Sequence, residues 1–408
     1  MVNVGVDLHT TQFTTCVRVN GEQAPGKYPT TDEGYEAFFR EMRLWQEQGE
    51  DVRVGVESTG NTRYFRDKME GNGIGVTVVN PLKFKVVNES INKTDKRDAA
   101  TIAEFLELGI LPQSQLCSQE SEQLRRLLNI RDYLVTAQVK IKNQIHGLLN
   151  AEGMEGVTRA ELKSKKGRKR TLNTLEQRKN GLVIQPLFEM IEHFEENIKF
   201  IEKQVRGLTE EDRMVELLKT IPGCGEITAW VIRAYTDDIK RFMNPKKYAA
   251  YAGLVPWVHV SNETKHYGKI TKRGPKKLRT ALVQIVMGLR RMKAKTLSWR
   301  LMQRYEAMKS RKGSGKSIIA TARKIAVIIW HMLTNDAEFR LELMVEPELL
   351  KKSENMSRAS LAKADAIIEK TGTSELTEEK PKLTKKGGKT KKKTGVAGKQ
   401  RKKLVMGA

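Results

Sequence analysis

The 408-residue sequence predicts a mixed α/β domain followed by mainly helical segments. Two runs of alternating valines, at 2–7 and 52–57, are typical of β-strands, and each run ends in an acidic residue. The polar segment 19–26 favours a hairpin-type connection, so the sheet is expected to be mixed. The remaining elements of this domain are predicted as strands at 13–19 and 74–80 and helices at 32–48 and 62–72.

Four carboxylates in three short motifs point to a metal site. Asp7 in VGVDLH and Glu57 in VGVESTG each end a predicted strand. Asp95 and Asp98 in KTDKRDA are three residues apart at the start of a helical pattern, so they share one face. Four acids gathered without a cation would repel one another, and carboxylate oxygens are the ligands that Mg²⁺ or Mn²⁺ takes. The motifs therefore predict a divalent metal site for phosphodiester chemistry on nucleic acid.

The charge of the chain agrees with a nucleic-acid partner. The net charge is +25 and the pI about 9.8, and residues 380–403 carry twelve Lys or Arg and no acid. Removing that stretch still leaves +13 (25 minus 12), so the body of the protein is itself cationic. We expect a cytoplasmic protein, because the sequence pattern predicts no apolar run long enough for a membrane span and no signal peptide. Cys16, Cys117 and Cys224 are too far apart to suggest a disulfide or metal framework.

Two long amphipathic patterns, at 118–153 and 183–208, predict an antiparallel helical arm that can also pack against another subunit. A basic stretch, KSKKGRKR at 163–170, lies between them. Beyond residue 351 the composition is typical of disorder. The predicted domains are 1–115 (α/β), 116–212 (helical arm), 213–345 (mainly α) and 346–408 (disordered Lys-rich tail).

A turn that could meet phosphate is predicted in IPGCGEITA. Gly223 and Gly225 would let the backbone and a helix N-terminus approach an anion, as in a helix-hairpin-helix turn. An ordinary tight turn between two helices explains the same pattern equally well. Both interpretations stay open from the sequence.

Further candidate contacts to nucleic acid are basic residues. Lys93 and Arg97 alternate with the acids of KTDKRDA and are candidates for the DNA backbone. Ser261 lies in a polar segment, where a serine is ordinarily solvated or caps a helix. A cluster of cations follows it, at Lys272, Arg273, Lys276, Lys277 and Arg279.

These motifs resemble a known family. VGVDLH, ESTG with VVNP at 78–81, and KTDKRDA are similar to the amino-terminal motifs of DEDD-type insertion-sequence transposases. That family is related to Piv/MooV-type DNA invertases, and some members are bridge-RNA-guided serine recombinases. IPGCGEITA, YAGLVP and GKITKRGPKKLR resemble the family's carboxy-terminal domain, in the same order. The resemblance covers about residues 1–295.

The resemblance implies a RuvC-like, ribonuclease-H-type first domain whose tetrad is Asp7, Glu57, Asp95 and Asp98, with Mg²⁺ or Mn²⁺ as cofactor. It implies that Ser261 is a nucleophile forming a covalent phosphoserine link to DNA. It further implies a composite site between subunits, a homodimer or homotetramer, and a noncoding guide RNA. The family pattern has Gly after the serine, whereas this chain has Asn262, a residue that tolerates left-handed backbone.

Two other functions are compatible with parts of the sequence. A metal-dependent nuclease or junction resolvase would use the tetrad and water, without a serine. A catalytically inactive nucleic-acid-binding protein would be a decayed element whose motifs survive without activity. The match of the second domain to the transposases argues against the first, and the intact spacing of the four acids and Ser261 argues against the second.

Overall fold

The computed structural model describes residues 1–340 except 82, 85–93, 155–156, 159, 177–180, 262–263, 293–295 and 297, all within a unit spanning Met1–Met344. The predictions for Lys93, for Asn262 and for the tail 346–408 lie outside the described residues.

The amino-terminal region is a mixed five-stranded sheet in the order β3-β2-β1-β4-β5. β1 to β3 form an antiparallel meander, and β1, β4 and β5 run parallel. The strands are β1 Val2–Leu8, β2 Gln12–Val19, β3 Glu22–Pro29, β4 Val52–Glu57 and β5 Gly75–Val79. The mixed α/β prediction is confirmed, and the arrangement is compatible with a RuvC-like domain.

The strand β3 was not predicted from the sequence. The segment 19–26, predicted as a connection, turns tightly at Asn20 and Gly21, which both have positive φ (51° and 88°). The chain then continues as β3. β3 contains Pro25 and Gly26, which weaken a strand pattern but are tolerated at a sheet edge.

The alternating valines of β1 and β4 form the core of this domain. Their buried face packs with the aromatic side chains of α1, Asp32–Glu47, and with those of α2, Thr62–Glu70. Phe38 of α1 and Phe65 of α2 are both completely buried there. This hydrophobic layer fixes the sheet, and the opposite face remains for a further helix.

Two long helices follow, α4 Gln119–Ala151 and α6 Gly181–Leu208 (α3, Asp95–Glu107, precedes them). They run antiparallel, because Arg131 bonds Glu202 (2.8 Å) while Gln138 bonds Glu195 (3.4 Å). The basic stretch enters α5, Lys165–Glu176, whose Arg168 is buried and bonds Glu195 at 2.9 and 3.1 Å. A buried arginine is tolerated because it is paired.

The remaining region is mainly helical with one antiparallel hairpin. Its elements are α7 Arg213–Lys219, α8 Glu226–Thr236, α9 Pro245–Tyr251, β6 Pro256–Ser261, β7 Thr264–Ile270, α10 Lys276–Arg291, α11 Arg300–Lys312 and α12 Ser314–Thr334. Short 3₁₀ helices occupy Glu161–Lys163 and Ile239–Arg241.

The expectation that no apolar run could span a membrane needs correction. Within the described residues, α12 is long and apolar enough by length and composition, with 21 residues and a mean hydropathy of 1.3. It packs against α9, α10 and α11, and its Ile325 and Ile329 are buried. Arg323 and Lys324 interrupt the run. A core helix of a folded domain has the same length and composition, so this is weak evidence for a span.

Candidate functional site

The site begins with two glycines that let a helix approach the sheet. A Cβ on Gly5 of β1 would lie 1.9 Å from the carbonyl oxygen of Ala99, and one on Gly55 of β4 would lie 2.7 Å from Cγ2 of Ile102. Both partners belong to α3. The absence of side chains at the two glycines therefore allows α3 to lie directly on β1 and β4, on the face opposite the valines.

Two carboxylates project beside that helix. β1 and β4 pair in parallel with Val6 opposite Val56, so Asp7 and Glu57, the next residues, lie side by side where the strands end. Because side chains alternate along a strand, Asp7 shares a face with Gly5, and Glu57 shares one with Gly55. The sequence motifs thus place both acids on the α3 side of the sheet.

The other two acids come from the first turn of α3. Thr94 caps the helix, its hydroxyl accepting a hydrogen bond from the Arg97 backbone N–H (3.4 Å). Asp98 is buried, whereas the Asp95 side chain is half exposed. Acids in the first helical turn are stabilised by the helix dipole. Arg97, a predicted DNA contact, is exposed in this same turn.

The described residues bring three metal-binding side chains together. Nε2 of His9 lies 3.3 Å from Oδ2 of Asp7 and 3.5 Å from Oδ2 of Asp95. One donor atom from each of the three side chains lies within 4.8 Å of the others. Burial raises the pKa of the Asp7 carboxyl; His9 lowers it, and the nearby charges of Asp95 and Asp98 raise it.

This donor set fits a divalent cation. Oxygen ligands from two carboxylates suit Mg²⁺ or Mn²⁺, and the half-exposed side leaves room for water or phosphate oxygens. The raised pKa of Asp7 shows that its ionised form is costly without a neighbouring positive charge. A bound cation would remove that cost.

His9 is the member of this group that the sequence reasoning missed. It lies two residues after Asp7, inside the quoted motif VGVDLH, where no role was assigned to it. The available signal was the spacing: an acid at the strand end and a histidine in the following turn.

Ser261 is the last residue of β6 and pairs with Thr264 of β7, at the tip of the hairpin. The polar segment that the sequence indicated around Ser261 is, at that residue, the end of strand β6. The hairpin is largely exposed, with Trp257 54% exposed and stacked on His259.

The two glycines of IPGCGEITA have different surroundings. Gly223 has a φ of +84°, and a Cβ there would lie 3.0 Å from the Ile285 carbonyl oxygen of α10. The close approach made by Gly223 is therefore to α10, where Gly288 faces it. Gly225 is exposed, begins α8 as its N-cap residue, and has open space around it. Only Gly225 is positioned for an external anion.

Replacing each glycine with alanine tests this difference. Gly223→Ala is expected to lower the free energy of unfolding by about 1–3 kcal/mol, because a non-glycine residue is strained at positive φ and its Cβ crowds α10. The matched Gly225→Ala should lower it by less, about 0.5–1 kcal/mol, because alanine only weakens the N-cap of α8. Urea denaturation measures both. Equal losses would contradict the packing role of Gly223.

Three of the predicted basic contacts, Lys272, Arg273 and Lys276, are exposed around the start of α10. Lys272 has a positive φ of 54° in the turn before that helix. Their ammonium and guanidinium groups are available to a phosphate.

Lys277 and Arg279 instead have internal partners. Lys277 Nζ lies 2.7 Å from Oδ2 of Asp132 and bonds the Leu128 carbonyl, which ties α10 to α4. Arg279 donates to the carbonyls of Ala252 and Lys272 at 3.2 Å each. These contacts give both residues a structural role.

Comparison with known proteins gives consistent matches along the chain. A transposase family model of the DEDD IS110 type matches residues 4–153, and a model described as transposase IS116/IS110/IS902 family matches 215–300. The transposase for insertion sequence element IS1111A of Coxiella burnetii is 30% identical over 298 residues, covering 70% of this chain and 79% of the relative.

Two further relatives are a transposase and a gene-inverting protein. A probable family 20 transposase of Pseudomonas aeruginosa is 25% identical, over 70% of this chain and 85% of the relative. The pilin gene-inverting protein of Moraxella bovis is 24% identical, over 82% of this chain and 97% of the relative.

Proposed function

Because this chain belongs to the IS116/IS110/IS902 family of transposases, we propose that it cuts and rejoins DNA by metal-assisted attack of Ser261 on a phosphodiester. The observation that carries the proposal is the convergence of Asp7 and Asp95 beside the carboxyl end of the sheet. Glu57 on the neighbouring strand and Asp98 on the same turn as Asp95 complete the tetrad that we assign to the cation.

The four acids hold and orient Mg²⁺ or Mn²⁺ at the scissile phosphate. When bound, the cation stabilises negative charge developing on the phosphate and on the leaving oxygen. The buried Asp98 fixes one side of the site, and the half-exposed Asp95 faces the side from which DNA arrives. Arg97 and the exposed Lys272, Arg273 and Lys276 bind the DNA backbone, a role we extend to Lys93 and Gly225.

Ser261 supplies the nucleophile in this proposal. Its hydroxyl loses a proton to water and forms a new P–O bond. The bond from phosphorus to the deoxyribose oxygen breaks, and that oxygen takes up a proton from water and leaves as a hydroxyl. The phosphoserine linkage retains a phosphodiester, so the strand can be rejoined to another DNA end without an external energy source. The exposed side chains of β6, such as Trp257, and the cations that follow the hairpin support this assignment.

Ser261→Ala tests the nucleophile. We expect the covalent protein–DNA adduct to fall at least about a thousandfold, because water cannot replace a positioned hydroxyl in forming that linkage. The measurement is a denaturing gel of labelled DNA carrying the element's ends, incubated with Mg²⁺. Ser310→Ala, an exposed serine at the end of α11, is the control.

Cleavage that persists in Ser261→Ala without any adduct would make the protein a metal-dependent nuclease and remove Ser261 from the mechanism. Loss of DNA binding in the variant would instead point to a misfolded hairpin, so binding is measured beside cleavage.

The remaining parts of the proposal concern assembly and targeting. We assign a RuvC-like domain to 1–115, a coiled-coil arm to 116–212 and a serine-bearing transposase domain with a helix-hairpin-helix-like turn to 213–345. The arm joins subunits into a homodimer or homotetramer, which completes a composite site. Tyr133 and Phe200, large exposed side chains of α4 and α6, support an interface there.

Target choice is assigned to a noncoding guide RNA, since the chain is cationic without a recognisable base-reading motif. The protein would then act in the cytoplasm on nucleoid DNA. Co-purification of one discrete RNA, lost on nuclease treatment together with target selectivity, tests this part.

A further inference from the structure

We propose that His9 is a nitrogen ligand of the cation held by Asp7 and Asp95, and that its imidazole shifts the site's preference from Mg²⁺ towards Mn²⁺. The inference rests on the metal site of the proposed function and deepens it by naming a ligand outside the four-acid tetrad. Its basis is the placement of one ring nitrogen between two carboxylates.

The distances match those of neighbouring ligands on one ion. Nε2 of His9 is 3.3 Å from Asp7 Oδ2 and 3.5 Å from Asp95 Oδ2. Adjacent ligands of an octahedral ion with bonds of about 2.1 Å lie about 3.0 Å apart. A shift of a few tenths of an ångström brings each of these two pairs to that spacing, and the three donor atoms lie within 4.8 Å of one another.

The backbone of His9 is held at both of its polar groups. Its N–H donates to the Gln12 carbonyl at 3.0 Å, where β2 begins. Its carbonyl accepts from Nδ2 of Asn61 at 3.1 Å, in the turn between β4 and α2. These two bonds tie the segment after β1 to the start of β2 and to the start of α2. The fixed backbone holds the base of the imidazole side chain in one place.

The imidazole is also accessible. The His9 side chain is 48% exposed and Asp95 is 51% exposed, whereas Asp7 is only 14% exposed. A cation at this position would have protein ligands on the buried side and open positions on the other. Those open positions are what a phosphate oxygen of DNA requires.

The chemistry of the donor set predicts the selectivity. Mg²⁺ is a hard ion that favours oxygen and retains water, whereas nitrogen ligands favour the transition metals. A site with two carboxylates and one imidazole should therefore bind Mn²⁺ more tightly than an otherwise equal site with oxygen donors alone.

The test is spectroscopic and uses the full-length protein loaded with Mn²⁺. Electron spin echo modulation of bound Mn²⁺ detects ¹⁴N of a directly ligated imidazole, and we expect this signal in the wild type and its loss in His9→Gln. Glutamine places an oxygen donor near the position of Nε2, so the metal should stay bound. Mn²⁺ affinity should fall at least about tenfold, with a smaller change in Mg²⁺ affinity.

The controls separate the possible outcomes. His193→Gln, an exposed histidine of α6, should change neither the ¹⁴N signal nor either affinity. Asp7→Asn should abolish binding of both ions. If Asp7→Asn leaves Mn²⁺ bound, the proposed metal site itself is wrong.

If Asp7→Asn removes the ion but the wild type shows no ¹⁴N coupling, only the inference about His9 is overturned, and His9 then serves as a charge partner of the two carboxylates. Unchanged urea denaturation of His9→Gln excludes misfolding as the cause of a lost signal.

Discussion

Asp7→Asn is expected to lower the rate of DNA strand transfer at least about a thousandfold while leaving the fold intact. Asp7 contacts His9 and is close enough to Asp95 and Asp98 for their charges to act on its pKa. Removing its charge removes a metal ligand, and with it several kcal/mol of transition-state stabilisation. The amide has nearly the same shape, so packing is kept.

The stability of the metal-free Asp7→Asn protein should stay the same or rise. Since burial and two neighbouring acids raise the pKa of Asp7, its ionised form is disfavoured in the folded state, and a neutral amide removes that cost at neutral pH. Single-turnover strand transfer, Mn²⁺ binding and urea denaturation measure the three effects. Asp67→Asn, a carboxylate on the exposed side of α2, is the matched control.

If Asp7→Asn keeps the wild-type rate of strand transfer with saturating Mg²⁺, the assignment of Asp7 as a metal ligand is wrong. A variant that loses its rate together with its unfolding transition would leave Asp7 as a structural residue only.

Gly5→Ala is expected to lower the free energy of unfolding by about 3 kcal/mol or more. The added Cβ would lie 1.9 Å from the Ala99 carbonyl oxygen and 2.5 Å from the Ala103 N atom, so α3 must move off the sheet. Because α3 carries Asp95 and Asp98, the displacement should also abolish Mn²⁺ binding. The same substitution at Gly75, where β5 begins with open space, is the control.

Urea denaturation and Mn²⁺ titration of Gly5→Ala and Gly75→Ala together decide the outcome. Equal stability of the two variants would show that α3 is not seated on Gly5. Retained metal binding in Gly5→Ala would show that the acids of α3 do not belong to the site.

The sequence predicted the parts of the fold that depend on local pattern. The valines of β1 and β4 alternate with a period of two, and their burial follows from that period. The strand-end positions of Asp7 and Glu57 follow from the same pattern, and the paired acids of α3 follow from helical spacing. β3 was not predicted because Pro25 and Gly26 obscure its pattern and because its strand pairing, with β2 at the sheet edge, cannot be read from the sequence.

Features made by contacts distant in sequence were not predictable. Gly5 looks like any strand residue until Ala99 lies against it, and Gly223 looks like a phosphate-binding glycine until Gly288 faces it. Lys277 belongs to a basic cluster in sequence, yet in space its partner is Asp132 on α4. His9 could be identified as a candidate metal ligand only from the structure, in which Asp95 lies beside it.

Because α3 lies directly on Gly5 and Gly55, the metal site that we propose can form only when α3 docks on the sheet. Asp7 and Asp95 are 88 residues apart in sequence (95 minus 7), and they meet only when α3 docks on β1. Loop closure over such a distance follows the formation of local structure. A chain whose α3 has not yet docked would hold the proposed ligands in two separate halves. On the proposed function, such a chain could not cut DNA until α3 lies on the sheet.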